Sequence, residues 1–332
     1  MARKFVFQWH ITHRCNLRCK HCYQEDYSED LEPDNLEKIF NQIMDYIRKN
    51  HYKGHINFTG GEPFVSEHLW RLMDLCEENQ ITFGILTNGT LLTKERVEKL
   101  RHYEKLSFIQ ISIDGARKKH NSIRGEGNYE KAFAAMKRLK KAGIQSMVSF
   151  TLSKENKDEL KKVIRICERA KIDRFWTDRL IPIGSNQLDI LTTEEYQKCL
   201  DVLSHEIRRS ERLFWIKTTI HNNRALQFLC DCGKRKSSVY ECSAGRQLLT
   251  ILADGTLLPC RRLPIELGNL LTKTIDELVA QSEVIALLRK NTKPEECKGC
   301  LFQKQCRGGA KCLTYAVTGQ MFGKDINCWV KN

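Results

Sequence analysis

What this sequence lacks narrows it first. No stretch of its 332 residues approaches an unbroken membrane span. No secretory leader precedes the first apolar strand, since the chain opens MARK and runs directly into KFVFQWHIT. A membrane-embedded or exported protein is therefore not expected, and the cytoplasm is the expected compartment. Acidic residues are in deficit, 41 Asp and Glu against 55 Lys and Arg, giving a formal net charge of +14. Such a surface favours an acidic partner. The basic runs at 137–141 and at Lys161–Lys162 fall on helix-like segments and lack interleaved aromatics on which bases would stack. Nucleic acid is accordingly not the expected partner.

What the sequence has in excess is cysteine, fifteen in all. In a chain without a leader, that number points to metal or cluster ligation rather than disulfides. Cys76, Cys167 and Cys199 stand alone in helical patterns and read as small buried hydrophobes. The others are grouped. Near the start, Cys15, Cys19 and Cys22 form a C-x3-C-x2-C run followed at once by Tyr23. Three thiolates so close together can hold one corner of an iron–sulfur cube and leave its fourth iron open. Zinc is the competing reading, because His13 or His21 would supply a fourth ligand.

Around this run, strand and helix patterns alternate. Residues 4–12, 55–59, 81–87, 107–113, 144–152 and 174–181 read as strands. Segments near 33–50, 66–79, 92–103, 129–142 and 156–170 carry helical spacing. This rhythm predicts parallel β/α units. The unusual loops each follow a strand: the cysteine run, Gly60-Gly61-Glu62-Pro63, Asn88-Gly89 and Asp114-Gly115. In a parallel barrel all such loops open on one face, where a site is built. From about 191 the pattern changes, with a helix capped at Thr192 or Thr193 and LFWIKTTI as an expected strand.

The far end holds nine cysteines between Cys230 and Cys328. Cys242 and Cys260 bracket QLLTILADGTLLPC, an expected hairpin turning at Asp254-Gly255 and bringing both thiols toward one centre. Then come Cys297, Cys300, Cys306, Cys312 and Cys328. Paired C-x2-C elements also occur in zinc ribbons, but nine thiols exceed one tetrahedral site and match two four-coordinate centres with one to spare.

The run at Cys15–Tyr23 directly after a first strand resembles the radical S-adenosylmethionine (SAM) superfamily. The far cysteines resemble the SPASM extension carried by members that modify peptides and proteins. The resemblance implies an α/β fold with a partial (β/α)6 TIM-like barrel over 1–190, a bridging region over 191–235 and a small cysteine-rich α+β domain over 236–332 with a β-hairpin. It implies one SAM-binding [4Fe–4S] cluster on Cys15, Cys19 and Cys22, whose open iron chelates SAM, and two auxiliary clusters. Cys232, Cys242, Cys260 and Cys312 would serve the first auxiliary cluster, with Cys230 the alternative to Cys232 and otherwise a thiol hydrogen donor. Cys297, Cys300, Cys306 and Cys328 would hold the second. One departure is plain: the family's fourth cysteine position is Ala310, so either Cys312, two residues later, takes that role through a shifted loop or the first auxiliary cluster lacks a protein ligand there.

For SAM itself, the resemblance implies that Gly60, Gly61, Glu62 and Pro63 serve the methionine amino end. It puts Asn88, Ser112 and Asp114 among the polar contacts, and Arg124 on the carboxylate. Tyr23 and the backbone of Ile181 to Gly184, including Ile183, would lie near the adenine. The expected function is that of an oxidoreductase maturing a ribosomally made peptide through a thioether or carbon–carbon crosslink. Formylglycine formation, porphyrin side-chain modification and epimerisation are the enzyme alternatives, and a zinc-rich binding module is the alternative without catalysis. The expected partners are a precursor peptide and an acidic flavodoxin- or ferredoxin-type electron donor. With the first strand starting by residue 4, leader recognition is expected to fall to a separate leader-binding protein or to another surface of this chain.

Overall fold

A computed structural model describes residues 3–28, 30–213, 215–221, 225–230, 240, 242–290 and 292–330. In chain order the first elements are β1 (Lys4–His10), α1 (Pro33–Lys49), β2 (Lys53–Thr59), α2 (Leu69–Glu78), β3 (Thr82–Thr87) and α3 (Lys94–Leu100). There follow β4 (Leu106–Ser112), α4 (Arg117–Arg124), α5 (Asn128–Ala142), β5 (Ser146–Leu152), α6 (Leu160–Arg169) and β6 (Arg174–Arg179). The rest comprises α7 (Thr193–Arg212), β7 (Thr219–Ile220), β8 (Leu248–Ile251), β9 (Thr256–Leu258) and β10 (Gly268–Asn269). Helices α8 (Ile275–Gln281), α9 (Glu283–Lys290), α10 (Gln303–Cys306) and α11 (Lys311–Thr318) complete the chain.

Local chemistry explains most of these elements. In α1, Leu36, Ile39, Phe40, Ile43, Met44 and Ile47 recur every three or four residues and are all buried. Pro33 opens its first turn, where a missing N–H costs nothing, and Arg48 and Lys49 sit at the negative end of the helix dipole. Helix α7 begins on a capping box. The Thr192 hydroxyl accepts from the Glu195 N–H, and the Glu195 carboxylate accepts from the Thr192 N–H at 3.0 Å.

Two compact units share the chain. One is built from Met1–Leu17, Gln24–Gln110 and Ser243–Asn291. Its strands run β10-β9-β8-β1-β2-β3, leading into β4. β1 and β2 pair in parallel from Lys4 opposite Lys53 to His10 opposite Thr59, and β2 pairs in parallel with β3. The expected hairpin forms, with β8 and β9 antiparallel (Thr250 opposite Leu258). Beyond that expectation, β8 also pairs in parallel with the free edge of β1, Val6 opposite Leu248 through Trp9 opposite Ile251. An open edge strand needs its backbone groups satisfied, and this pairing does so. Phe5, Phe7 and Trp9, alternate residues of β1, are fully buried, and the Phe58 ring packs 6.1 Å from Trp9 and 5.8 Å from Phe83. Each such ring removed from water stabilises the unit by about 1.5–3 kcal/mol.

The second unit comprises Arg18–Tyr23, Ile111–Cys242 and Thr292–Asn332. Here β5 and β6 pair in parallel, Met147 opposite Arg174 through Leu152 opposite Arg179, and β6 pairs in parallel with β7. Phe150, Phe175, Ile164 and Leu139 are fully buried. Two details differ from the sequence pattern. Among the described residues of LFWIKTTI only Thr219–Ile220 is a strand; the Ile216 N–H turns back onto the Leu213 carbonyl and Trp215 is left exposed. The segment RKKHNSIR, with no apolar period, is nonetheless the helix α4, and it buries His120, Asn121 and Ile123.

Candidate active site

In the first unit the loops after β1, β2 and β3 are bound to one another. The Gly61 N–H donates to the Thr12 carbonyl and the Glu62 N–H to the Arg14 carbonyl, both at 2.9 Å. A methyl group on Gly60, which has φ +139, would collide with the Thr12 carbonyl, and one on Gly61 with the Arg14 carbonyl. The glycines are thus required for the approach of this loop to the residue preceding Cys15. Glu62 is fully buried. One of its carboxylate oxygens accepts from the Thr87 hydroxyl at 2.7 Å and the Phe64 N–H at 3.2 Å, the other from the Asn88 N–H at 2.8 Å. Burial pushes its carboxyl above the usual range against the pull of those bonds. Pro63, also buried, opens a short 3-10 turn. Asn88 donates to the Asn16 side chain at 2.9 Å, while its own oxygen accepts from the Thr90 N–H. Asn16 in turn adjoins Cys15, whose sulfur accepts from the Leu17 N–H at 3.4 Å. Glu62 and Asn88 therefore act by fastening the loops together.

In the second unit Cys19 and Cys22 lie in one turn, the Cys22 N–H donating to the Cys19 carbonyl at 3.0 Å. Asp114 is fully buried and over-committed. Its Oδ2 accepts from Arg124 Nε at 2.5 Å and pairs with His21 Nε2 at 2.6 Å, and its Oδ1 accepts from the Thr151 N–H at 2.9 Å. Burial by itself would raise this carboxyl, but Arg124 and His21 outweigh it and hold it well below the carboxylate range. Arg124 ends α4 with its side chain largely buried, and its Nη1 lies 3.7 Å from the Cys19 sulfur. Burial pushes the Cys19 thiol up, with the guanidinium opposing. Ser112, half-buried, is the last residue of β4.

Tyr23 and the segment Ile181–Gly184 are brought together. A side chain on Gly184, which has φ +63, would strike the Tyr23 backbone, and the Ser185 hydroxyl donates to the Cys22 carbonyl at 2.9 Å. The Ile183 N–H closes a tight turn onto the Ile181 carbonyl.

The far cysteines divide. Cys297, Cys300, Cys306 and Cys328 line one small cavity, together with Leu226, Leu229 and Phe302. Burial pushes the Cys306 thiol up to about 12, aided by Asp325 and Cys328; burial, with Cys328 and Cys300 nearby, also raises the Cys297 thiol. Among the described residues no three of His, Cys, Asp and Glu are set to grip a single ion. These four thiols ring a space instead. Cys312 is buried on α11, and Cys230 is half-buried at the end of a turn. Three residues after Cys242, the Gly245 N–H donates to the Pro259 carbonyl beside Cys260. Cys232 lies outside the described residues. Cys76, Cys167 and Cys199 are buried in helices, as their isolation in sequence suggests.

Comparison with known proteins decides the family. The radical SAM superfamily matches residues 9–167, and the SPASM iron–sulfur cluster-binding domain matches 242–301. The chain is a radical SAM enzyme with a SPASM domain. It is 25% identical to an AdoMet-dependent heme synthase of Methanosarcina barkeri, over 97% of this chain and 95% of that one. It is 27% identical to the mycofactocin maturase MftC of Mycolicibacterium smegmatis, over 96% and 81%. Streptococcus suis SuiB bound to S-adenosylmethionine shares the fold, with TM-score 0.78 and 18% identity over 99% of this chain and 78% of that one. The fold class is therefore the expected one, a partial (β/α)6 barrel followed by a SPASM region.

The cofactors of such a radical SAM enzyme are [4Fe–4S] clusters and SAM, and the residues present fit them. Four thiols around one largely apolar cavity suit a cluster held by cysteine sulfur. Protons held by the raised Cys297 and Cys306 thiols must leave when a cluster is taken up. Sequence reasoning missed His21, Asn16 and Thr87 as partners of site residues. It also missed Arg179, which alternation on β6 puts on the buried side with Phe175 and Thr177. A cation at an inward strand position is a signal available from sequence.

No helix among the described residues is long and apolar enough to cross a membrane.

Proposed function

We propose that this radical SAM enzyme matures a ribosomally synthesised peptide, abstracting hydrogen from an unactivated carbon and leaving a thioether or carbon–carbon crosslink. When bound, the cluster and SAM supply a 5′-deoxyadenosyl radical. Cys15, Cys19 and Cys22 hold the cluster; Arg124, oriented by Asp114, receives the SAM carboxylate; Gly60–Pro63 present backbone to its amino end. Tyr23 and the Ile181–Gly184 backbone bracket the adenine. The protein's part is positioning and exclusion of water, with little acid–base work to do. The 1–190, 191–235 and 236–332 division then separates the ligand sets, with Cys242, Cys260 and Cys312 serving a first auxiliary cluster.

The observation that carries this reading is the ring of four cysteines around one cavity, far in sequence from Cys15–Cys22. It supports an auxiliary cluster able to take an electron from a substrate radical, which an oxidative crosslink needs. The likeness to mycofactocin maturase and the +14 charge, suited to an acidic leader and an acidic flavodoxin-type donor, add to it. A second reading, modification of a porphyrin side chain, is favoured by the likeness to heme synthase along almost the full length of both chains.

Anaerobic reconstitution should load about twelve irons per chain, from the four irons of each cube. The reduced protein should then release deoxyadenosine from SAM. A peptide encoded beside the gene should lose two hydrogens. A mass change in an iron coproporphyrin with none in the peptide selects the second reading, and full iron with no deoxyadenosine refutes both.

A further inference from the structure

Arg179, the last residue of β6, is a cation in the interior, with 3% of its surface exposed. Its Nη1 donates to Asp325 Oδ1 and Asn327 Oδ1, each at 2.7 Å, and its Nη2 donates to Asp325 Oδ2 at 2.8 Å. The guanidinium lies over the Tyr196 ring, 4.2 Å from its centre. Asp325 and Asn327 are equally buried.

Both partners lead to the cysteine cavity. The Asp325 carbonyl accepts the Cys328 N–H at 2.9 Å, and its Oδ2 accepts the Ala310 N–H at 2.8 Å, four residues after Cys306. Asn327 directly precedes Cys328 and donates to the Leu191 carbonyl at 3.0 Å. The Tyr196 hydroxyl donates at 2.8 Å to the Ala225 carbonyl, next to Leu226 in the cavity wall. The stretches carrying Cys306 and Cys328, which are separated by a helix and a loop, are thus both referred to one carboxylate, and that carboxylate to one guanidinium.

Stability alone is a poor reason for this arrangement. A buried ion pair is often no better for stability than apolar side chains of the same volume. A planar fork bound to two acceptors fixes angles as well as distance, which an apolar contact does not.

We propose that Arg179 is a positioning residue for the auxiliary cluster, setting Cys328 opposite Cys297, Cys300 and Cys306 through Asp325 and Asn327. This rests on the reading that those four cysteines hold a cluster.

The test uses the full chain, anaerobically reconstituted, with iron content, electron paramagnetic resonance (EPR) of the reduced protein and melting temperature as readouts. Cys328→Ala identifies the auxiliary signal as the one it loses. The double variant Arg179→Met/Asp325→Asn removes both charges and keeps an acceptor for the Ala310 N–H. It should melt close to the parent yet lose the auxiliary signal, with about four fewer irons per chain. A merely structural pair predicts parent-like iron and an unchanged signal in the double variant, and that result overturns the proposal while leaving the cluster assignment intact. Cys328→Ala with full iron and an unchanged spectrum overturns the assignment and the proposal together. Should the double variant not fold, Arg179→Lys decides. It keeps the charge and loses the fork, so the auxiliary signal should shift; an unchanged signal refutes the positioning role.

Discussion

Replacing Asp114 with Ala tests the most heavily committed side chain of the site. Its carboxylate is fully buried and faces Arg124 at 2.5 Å, His21 at 2.6 Å and the Thr151 N–H at 2.9 Å. Removing it leaves the Arg124 guanidinium without its carboxylate at a site where its side chain is 10% exposed. Stranding one partner of a buried pair costs about 3–5 kcal/mol, and the orphaned Thr151 N–H adds about 1–3 kcal/mol if no water reaches it. For a chain of this size that corresponds to a fall in melting temperature of roughly 6–16 °C, at about 2 °C per kcal/mol. Thermal unfolding of the protein without clusters measures this, free of any contribution from bound iron. A second arm separates charge from packing: Asp114→Ala combined with Arg124→Met should recover about half the loss, because no lone charge remains buried. A single variant melting within about 2 °C of the parent would show that solvent already screens Arg124, and the argument from burial would fail.

Replacing Gly61 with Ala should drive a methyl group into the Arg14 carbonyl. Because backbone has no rotamer to yield, iron retention at the first cluster should fall sharply, measured as loss of SAM cleavage with the iron of the second half retained. Replacing Cys15, Cys19 and Cys22 with Ala together should abolish deoxyadenosine release while leaving that second-half iron, and surviving cleavage would mean the loop is misassigned. The pH dependence has a definite sign. Burial, reinforced by nearby positive charge, lowers His55 and His120 from about 6.5 to about 4. The folded chain therefore binds fewer protons than the unfolded chain in that window. Their contribution is intact above pH 6.5 and is lost as pH falls toward 4. His55→Gln should flatten part of that acid limb in urea unfolding of the cluster-free protein. A slope unchanged by the substitution would exclude His55 as a source.

Where chemistry is local, the sequence was readable. The alternation of β1, the period of α1 and the capping box of α7 each depend on residues within one turn or one strand of each other. The same holds for the glycines at 60 and 61, whose lack of a side chain is what lets two backbones meet. Helix α4 escaped notice because RKKHNSIR has no apolar stripe; besides Ile123 it buries His120 and Asn121, which are satisfied by partners elsewhere in its unit. That the Asp114 carboxylate faces Arg124 and His21 was not legible, since both partners lie on other segments.

By itself the amino-acid sequence determined the number and grouping of the cysteines, the parallel strand–helix rhythm and the loops that carry the first cysteines. These follow from residue type and spacing, which the chain holds before it folds. Tertiary structure alone decided that β8 pairs with the edge of β1, that Arg124 faces a cysteine sulfur, and that Cys297, Cys300, Cys306 and Cys328 surround one cavity. It also decided that Arg179 is bound to Asp325, 146 positions away. Such pairings depend on which distant segments share an interior. There, burial forces each polar group to find a partner, and no local pattern records which partner that is.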